Sequence, residues 1–230
     1  MKIKRFSLLD GAKNAIGTTV IIDVFRAFTT AAYVIANGAE KIIPVSTINE
    51  ALKLKKKHPD WILMGENHGI KISEFDYGNS PADIINVDFN KKIIVQRTSS
   101  GTQGILLAKG AKEILLGSFV TAGALIDYLR LKNPVEISLV AMGWEGSRKS
   151  LEDELFSEYI EGSLNGKNYD FKKICNDIKK DPDGAKFFQK EQTVFKEKDF
   201  HLAMDLNKFN FILKVNNNKL HEIKKYVINI

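Results

Sequence analysis

The chain has 230 residues, enough for one large α/β unit or for two small lobes sharing a cleft. Hydrophobic residues at 44% can fill a core of that size, and charged residues at 27% do not describe a disordered chain. Lys and Arg number 34 against 28 Asp and Glu, a net charge of +6 that favours anionic partners. The lysine-rich stretches 53–57 and 172–180 carry none of the interleaved aromatics and arginines of a single-strand-binding surface. Both read as solvated helix faces, and no nucleic acid is expected.

A single cysteine, Cys175, excludes an internal disulfide framework and fits a reducing compartment. Residues 1–17 hold no long apolar run, and no segment approaches the roughly 18 apolar residues of a membrane span. A cytoplasmic protein without membrane contact is the expectation. A homo-oligomer is compatible with everything in the sequence.

Along the chain, short apolar runs at 20–22, 42–45, 62–64, 93–95, 114–116 and 137–141 read as strands. Several are almost continuous in aliphatic residues, as in strands covered on both faces. Between them, 28–36, 48–57, 103–109 and 120–131 read as helices, with Gly38, Gly110 and Asn133-Pro134 as stop signals. This alternation predicts an α/β fold, a largely parallel sheet flanked by helices. Residues 66–90 break the rhythm with Gly69, Gly78, Asn79 and Pro81, and a connection of that length is often functional. From 151 to 163 a helix is expected, then weaker lysine-rich helices to about residue 200. The tail reads as a hairpin, 210–215 and 220–228 around Asn216-Asn217-Asn218. The sheet is thus expected to carry a C-terminal helical and hairpin extension, all within one domain, 1–230.

Ligands of open parallel sheets bind beyond the carboxyl ends of the strands. The residues just after each strand are therefore informative: Asp23 to Arg26, then Gly65-Glu-Asn-His-Gly69, then Arg97-Thr-Ser-Ser-Gly-Thr102, then Gly117-Ser118, then Gly143-Trp-Glu-Gly146. The loop from Arg97 to Thr102 places hydroxyls and a glycine before a helix, where backbone N–H groups and Arg97 could hold an oxyanion. It is not a P-loop, because the Gly-Lys-Ser/Thr ending is missing. Asp23 at a strand end can bind Mg²⁺ while Arg26 clamps phosphate, and Glu66 suits a metal ligand or general base. Each also has a plain structural reading: an N-cap for the hydroxyl loop, an Asp–Arg pair for Asp23, an exposed turn for Glu66. Glu152-Asp-Glu154 likewise opens a helix, where acidic residues favour the dipole. Asp181 stands six residues after Cys175 where a cysteine phosphatase needs Arg, and Asp23 lacks the second Asp two residues on that a haloacid-dehalogenase-type phosphatase carries.

At these residues the chain resembles the 2-phosphosulfolactate phosphatase (ComB-like) family of coenzyme M biosynthesis. The resemblance rests on Ile22-Asp-Val-Phe-Arg-Ala-Phe-Thr-Thr30, Ala36-Asn-Gly-Ala39, Gly65-Glu66, Phe75-Asp-Tyr-Gly-Asn-Ser-Pro81, Thr98-Ser-Ser-Gly-Thr102, Gly117-Ser118 and Leu151-Glu-Asp153, in order over most of the chain. It implies a family-specific α/β/α fold and a Mg²⁺-dependent phosphatase for phosphate monoesters of small 2-hydroxy acids, 2-phospho-3-sulfolactate being the name-giving one. Carried over residue by residue, the implied catalytic set is Asp23, Arg26 and Glu66, and the metal set Asp23, Glu66 and Asp153. Substrate binding goes to Arg97, Thr98, Ser99, Ser100, Gly101, Thr102 and Ser118. Two positions depart: Asn67 and Ser100 stand where the family commonly has Arg and Asn. The rival reading is a non-catalytic binding or sensor protein for phosphorylated acids on the same scaffold.

Overall fold

The computed structural model describes residues 1–217 and 220–227. In chain order the elements are β1 (Lys2–Ser7), α1 (Leu8–Asn14), β2 (Gly17–Ile22), α2 (Ala27–Ala36), β3 (Lys41–Pro44), α3 (Ile48–Lys57), β4 (Ile62–Asn67), β5 (Ile70–Lys71), α4 (Pro81–Ile84) and β6 (Ile93–Arg97). Then come α5 (Gly101–Leu107), β7 (Ala111–Gly117), α6 (Ala122–Lys132), β8 (Glu136–Ala141), α7 (Leu151–Leu164), α8 (Phe171–Lys180), α9 (Pro182–Ala185), α10 (Glu197–Ala203), β9 (Phe211–Asn217) and β10 (His221–Val227). All six expected strands and four expected helices are present. β1 and α1 are additions: β1 pairs parallel with β8 from Lys2 to Ser7.

Ten strands form one mixed sheet in the order β1-β8-β2-β7-β9-β10-β3-β6-β4-β5. β1, β8, β2 and β7 run parallel, as do β3, β6 and β4. The expected terminal hairpin forms, with Ile223 opposite Val215; Asn218 and Ile228 lie outside the described residues. It is no appendage, however. β9 pairs antiparallel with β7, and β10 antiparallel with β3, so the hairpin fills the middle of the sheet and joins two parallel blocks. Ile212 packs into the core on one face and Leu213, Val215 and Ile223 into the core on the other, all buried, which an edge hairpin would not need.

Side-chain alternation along the strands feeds cores on both faces. Ile21 packs with Phe28, Ala31 and Ile105 on one side, while Val20 and Ile22 pack with Phe119, Leu125 and Phe156 on the other. Ile43 and Val95 meet Ala51 and Leu63 in a smaller cluster under α3. The layers are helix, sheet, helix. Among the described residues no helix is long and apolar enough to cross a membrane.

Three successive antiparallel pairings separate β7 from β3, so the two parallel blocks point in opposite senses. In a flat sheet the carboxyl ends of β2 and β6 would lie at opposite edges. Five inter-strand steps separate those strands, and twist at roughly 20–25° per step accumulates to about 100–125°. That rotation lets the two ends approach on one face, and contacts at the site show that they meet.

Candidate active site

The turn after β6 is held by a reciprocal threonine pair. Thr98 N–H donates to Thr102 Oγ1 at 2.9 Å, and Thr102 N–H donates to Thr98 Oγ1 at 3.1 Å. Two intervening amides are then free to point outward. Ser99 N–H donates to Glu66 Oε1 at 2.5 Å, and Gly101 N–H donates to Asp23 Oδ2 at 2.8 Å. One turn thus grips carboxylates from both parallel blocks. The loop expected to cradle an external oxyanion spends these two amides on the protein's own acids. Gly101 is needed for the approach, since a Cβ there would stand 2.8 Å from Asp23 Oδ2.

Each carboxylate is oriented by main-chain donors. Asp23 Oδ1 accepts from Ala27 N–H at 2.9 Å, which also fixes the entry to α2. Glu66 Oε2 accepts from Gly69 N–H at 2.6 Å and from Ser99 Oγ at 3.2 Å. Gly65 before it has φ +149°, and a Cβ there would fall 1.9 Å from Arg97 O. Asp153, on the first turn of α7, accepts from Val24 N–H at 2.8 Å and Gly143 N–H at 2.9 Å.

Burial pushes the Asp23 carboxyl up to about 6; hydrogen bonds from Ala27 and Gly101 oppose this, and the nearby Glu66 charge adds to it. Burial, then the charges of Glu152 and Asp23, raise Asp153 well above the usual carboxylate range. These acids repel one another in a poorly solvated place, and positive charge there would relieve them. Among the described residues, no three Asp, Glu, His or Cys side chains stand close enough to form a ready-made metal cage.

Arg26, 5% exposed, closes the other side. Its Nη1 donates to Asp199 Oδ2 at 2.8 Å and Val194 O at 2.9 Å, and Nη2 donates to Gly69 O at 2.9 Å. The guanidinium also sits 5.0 Å from the centre of the Phe195 ring. Arg26 therefore ties α10, the preceding loop and the turn after β4 around the cleft.

The cleft is lined by Asp23, Arg26, Glu66, Ser99 and Ser100 from the expected set. Phe25, Gly69, Asn79, Gly143, Trp144, Glu145 and Phe195 complete its wall. Arg97, Thr98, Gly101, Thr102, Ser118 and Asp153 are not part of that lining. Arg97 Nη1 donates to Glu66 O at 2.7 Å and Asn67 Oδ1 at 3.0 Å, so it braces the end of β4. Ser118 is buried with no hydrogen-bond partner for its hydroxyl among the described residues. At the rim, His68 Nδ1 meets Glu145 Oε1 at 2.5 Å.

Sequence reasoning missed Phe25, Asn79, Phe195 and Asp199. Asn79 lies inside the segment Phe75 to Pro81, whose glycine and proline already flag a special turn. Phe195 and Asp199 come from a lysine-rich region with no motif.

The 2-phosphosulpholactate phosphatase family model matches residues 7–218. A probable 2-phosphosulfolactate phosphatase of Thermoplasma volcanium is 36% identical over 174 residues, covering 75% of this chain and 80% of the relative. One of Bacillus subtilis is 32% identical over 199 residues, covering 85% and 86%. One of Carboxydothermus hydrogenoformans is 42% identical over 161 residues, covering 70% and 66%. With the match running through nearly every element that builds the cleft, the chain belongs to the 2-phosphosulfolactate phosphatase family.

Proposed function

We propose that this protein is a magnesium-dependent phosphatase that hydrolyses the phosphate monoester of a small 2-hydroxy acid, with 2-phosphosulfolactate the first candidate. The observation that carries the reading is the paired grip of Ser99 and Gly101 amides on Glu66 and Asp23, which fixes two buried acids in one cleft with Arg26.

The donor set suits magnesium. Each Asp23 oxygen, and Oε1 of Glu66, accepts one hydrogen bond and keeps lone-pair capacity for a cation. Magnesium keeps several waters and is commonly held by one or two carboxylates plus substrate phosphate, so a three-acid cage is not required. Asp23 and Glu66 would hold the ion, with Asp153 behind them setting the positions of Val24 and Gly143. Bound there, the metal would neutralise phosphoryl charge and polarise the ester.

The chain's own groups do the rest. Ser99 and Ser100 bring hydroxyls to the cleft wall, where Ser100 Oγ already donates to Gly143 O at 2.7 Å. Arg26 brings fixed positive charge for a developing phosphoryl anion. Phe25, Trp144 and Phe195 limit water, which strengthens these electrostatic contacts. Phosphoryl transfer depends chiefly on such positioning and charge neutralisation.

The test is inorganic phosphate release from 2-phosphosulfolactate, with Mg²⁺ and with chelator. Metal-dependent release that drops about 100-fold or more in Asp23→Asn is expected. Tight binding without release would favour the sensor reading, and wild-type turnover by a folded Asp23→Asn protein would remove Asp23 from the mechanism.

A further inference from the structure

Lys186 stands in the short turn that follows α9, and its ammonium is packed against aromatic rings. Only 16% of its side chain is exposed, and Nζ lies 3.9 Å from the centre of the Trp144 ring and 4.5 Å from that of Phe195. Both rings line the cleft, and their centres are 6.0 Å apart. The carboxylate nearest to Lys186, Asp183, is already held at both oxygens by Arg148, at 2.8 and 2.9 Å. Lys186 Nζ reaches it at a longer 3.3 Å. Burial lowers the Lys186 pKa from its ordinary 10.5, while the charges of Asp183 and Glu152 oppose the fall. Ring faces compensate a partly desolvated ammonium, and the ammonium holds the rings in return.

The two rings sit on the turn that orients Glu66. A Cβ on Gly69 would stand 2.7 Å from Phe195 Cζ and 3.4 Å from Trp144 Cη2, so both ring edges close over this glycine. Gly69 N–H donates to Glu66 Oε2 at 2.6 Å, and Gly69 O accepts from Arg26 Nη2 at 2.9 Å. A chain of contacts thus runs from Lys186 through Trp144 and Phe195 to Glu66. The Phe195 main chain is fixed separately. Its N–H donates to Gln192 Oε1 at 2.6 Å, and Gln192 Nε2 donates to Phe195 O and, at 3.0 Å, to Lys186 O. That bridge uses the Lys186 carbonyl and survives replacement of the side chain, so a Lys186 variant loses only the ammonium on the rings.

We infer that Lys186 is a positioning residue whose ammonium, packed against Trp144 and Phe195, keeps the aromatic wall of the cleft seated on the Gly69 turn. This rests on the hydrolase reading for the reaction it serves. Lys186 is not part of the cleft lining, and it acts through the two rings.

The test compares Lys186→Met, which keeps an apolar stem, with Lys186→Arg, which keeps a cation for the rings, both in the full-length protein. Fluorescence reports Trp144 alone in a Trp61→Phe background, Trp61 being the other tryptophan of the chain, stacked on His58 just before β4. Lys186→Met should raise acrylamide quenching of Trp144 at least about 2-fold and lower kcat/KM for phosphate release from 2-phosphosulfolactate about 10-fold. Lys186→Arg should recover most of both changes. Melting temperature should move by less than about 3 °C in either variant, because Asp183 keeps its paired bonds to Arg148. Wild-type quenching in Lys186→Met overturns the inference. So do unaltered kinetics, an arginine variant no better than the methionine one, or a fall in melting temperature large enough to account for the lost rate. Wild-type protein that releases no phosphate refutes the hydrolase reading instead, and the quenching comparison then tests the link from Lys186 to Trp144 by itself.

Discussion

Gly101 donates its amide to Asp23 Oδ2 at 2.8 Å, and a methyl group built on Gly101 would occupy a point the same 2.8 Å from that oxygen. The contact that aims the carboxylate is thus also the one that forbids a side chain. Ala27 Cβ and Phe28 Cζ, each 3.0 Å from the same point, block the other ways out. Gly101→Ala should displace Asp23, lowering phosphate release by at least about 10-fold. The overpacking should cost about 1–3 kcal/mol. Urea unfolding and phosphate-release assays on one preparation check both. Full activity at reduced stability would show that the Asp23 position is not critical.

Arg26 reaches three separate elements at once, with a buried partner in Asp199, which is 0% exposed. A lysine offers one point charge on a flexible stem and cannot reproduce a planar fork. Arg26→Lys should therefore lose the links to Val194 O and Gly69 O together, with a fall in kcat/KM of about 10- to 100-fold. Asp199→Ala leaves the guanidinium buried and unpaired, and should destabilise the fold by about 3–5 kcal/mol. Melting curves of the two variants separate the roles. If Arg26→Lys retains normal kinetics, the forked geometry is dispensable.

Much of this arrangement could be read from the chain because each block repeats one local pattern. In β2, Val20-Ile21-Ile22 runs straight into Asp23; in β4, Leu63-Met64 runs into Gly65-Glu66; in β6, Ile94-Val95 runs into Arg97 and the hydroxyl turn. Apolar residues ending at a polar cluster are visible without coordinates. The place of the hairpin was not, since Ile212, Leu213 and Val215 suit an edge or a centre equally by pattern. The partners of the Ser99 and Gly101 amides were not visible either, because the loop chemistry that fits an external anion fits an internal carboxylate as well. Asp199 carries no local mark at all: its importance comes from Arg26, 173 positions away in the chain.

Asp23 and Glu66 also predict a response to metal that does not depend on turnover. Mg²⁺ at about 100 times its Kd should stabilise the protein by about 2.7 kcal/mol. For a chain of this length that is about 5–10 °C in melting temperature. Asp23→Asn and Glu66→Gln should each remove most of the shift, whereas Glu154→Gln, on the first turn of α7 and bonded to Ser7 Oγ, should keep it. Differential scanning fluorimetry across a Mg²⁺ titration checks this, and an undiminished shift in both cleft variants would place the cation elsewhere.

The join between the hairpin and the first parallel block makes a prediction about acid. β7 and β9 share a short register, Ile114 to Leu116, and Glu113 reinforces it from the side. Its carboxylate accepts from Tyr128 OH at 2.6 Å and Lys132 Nζ at 2.6 Å, and pairs with Lys214 Nζ at 2.7 Å. Burial works against the charge, but the bonds from Lys132, Lys214 and Tyr128 outweigh it and hold the carboxyl below its ordinary value of 4.5. A carboxyl depressed in the folded state binds its proton more readily when unfolded. Its stabilisation is therefore complete above about 4.5 and is lost as pH falls through the lower folded value. Glu113→Gln should cost about 1–2 kcal/mol near neutral pH, a figure reduced for the half-exposed lysines. The gap between wild type and variant should close on acidification below about pH 4, because the protonated glutamate then resembles the amide. Urea unfolding at several pH values from 7 to 3 measures the gap directly. A difference that persists undiminished at pH 3 would mean that packing, not the charge on Glu113, holds the hairpin to β7.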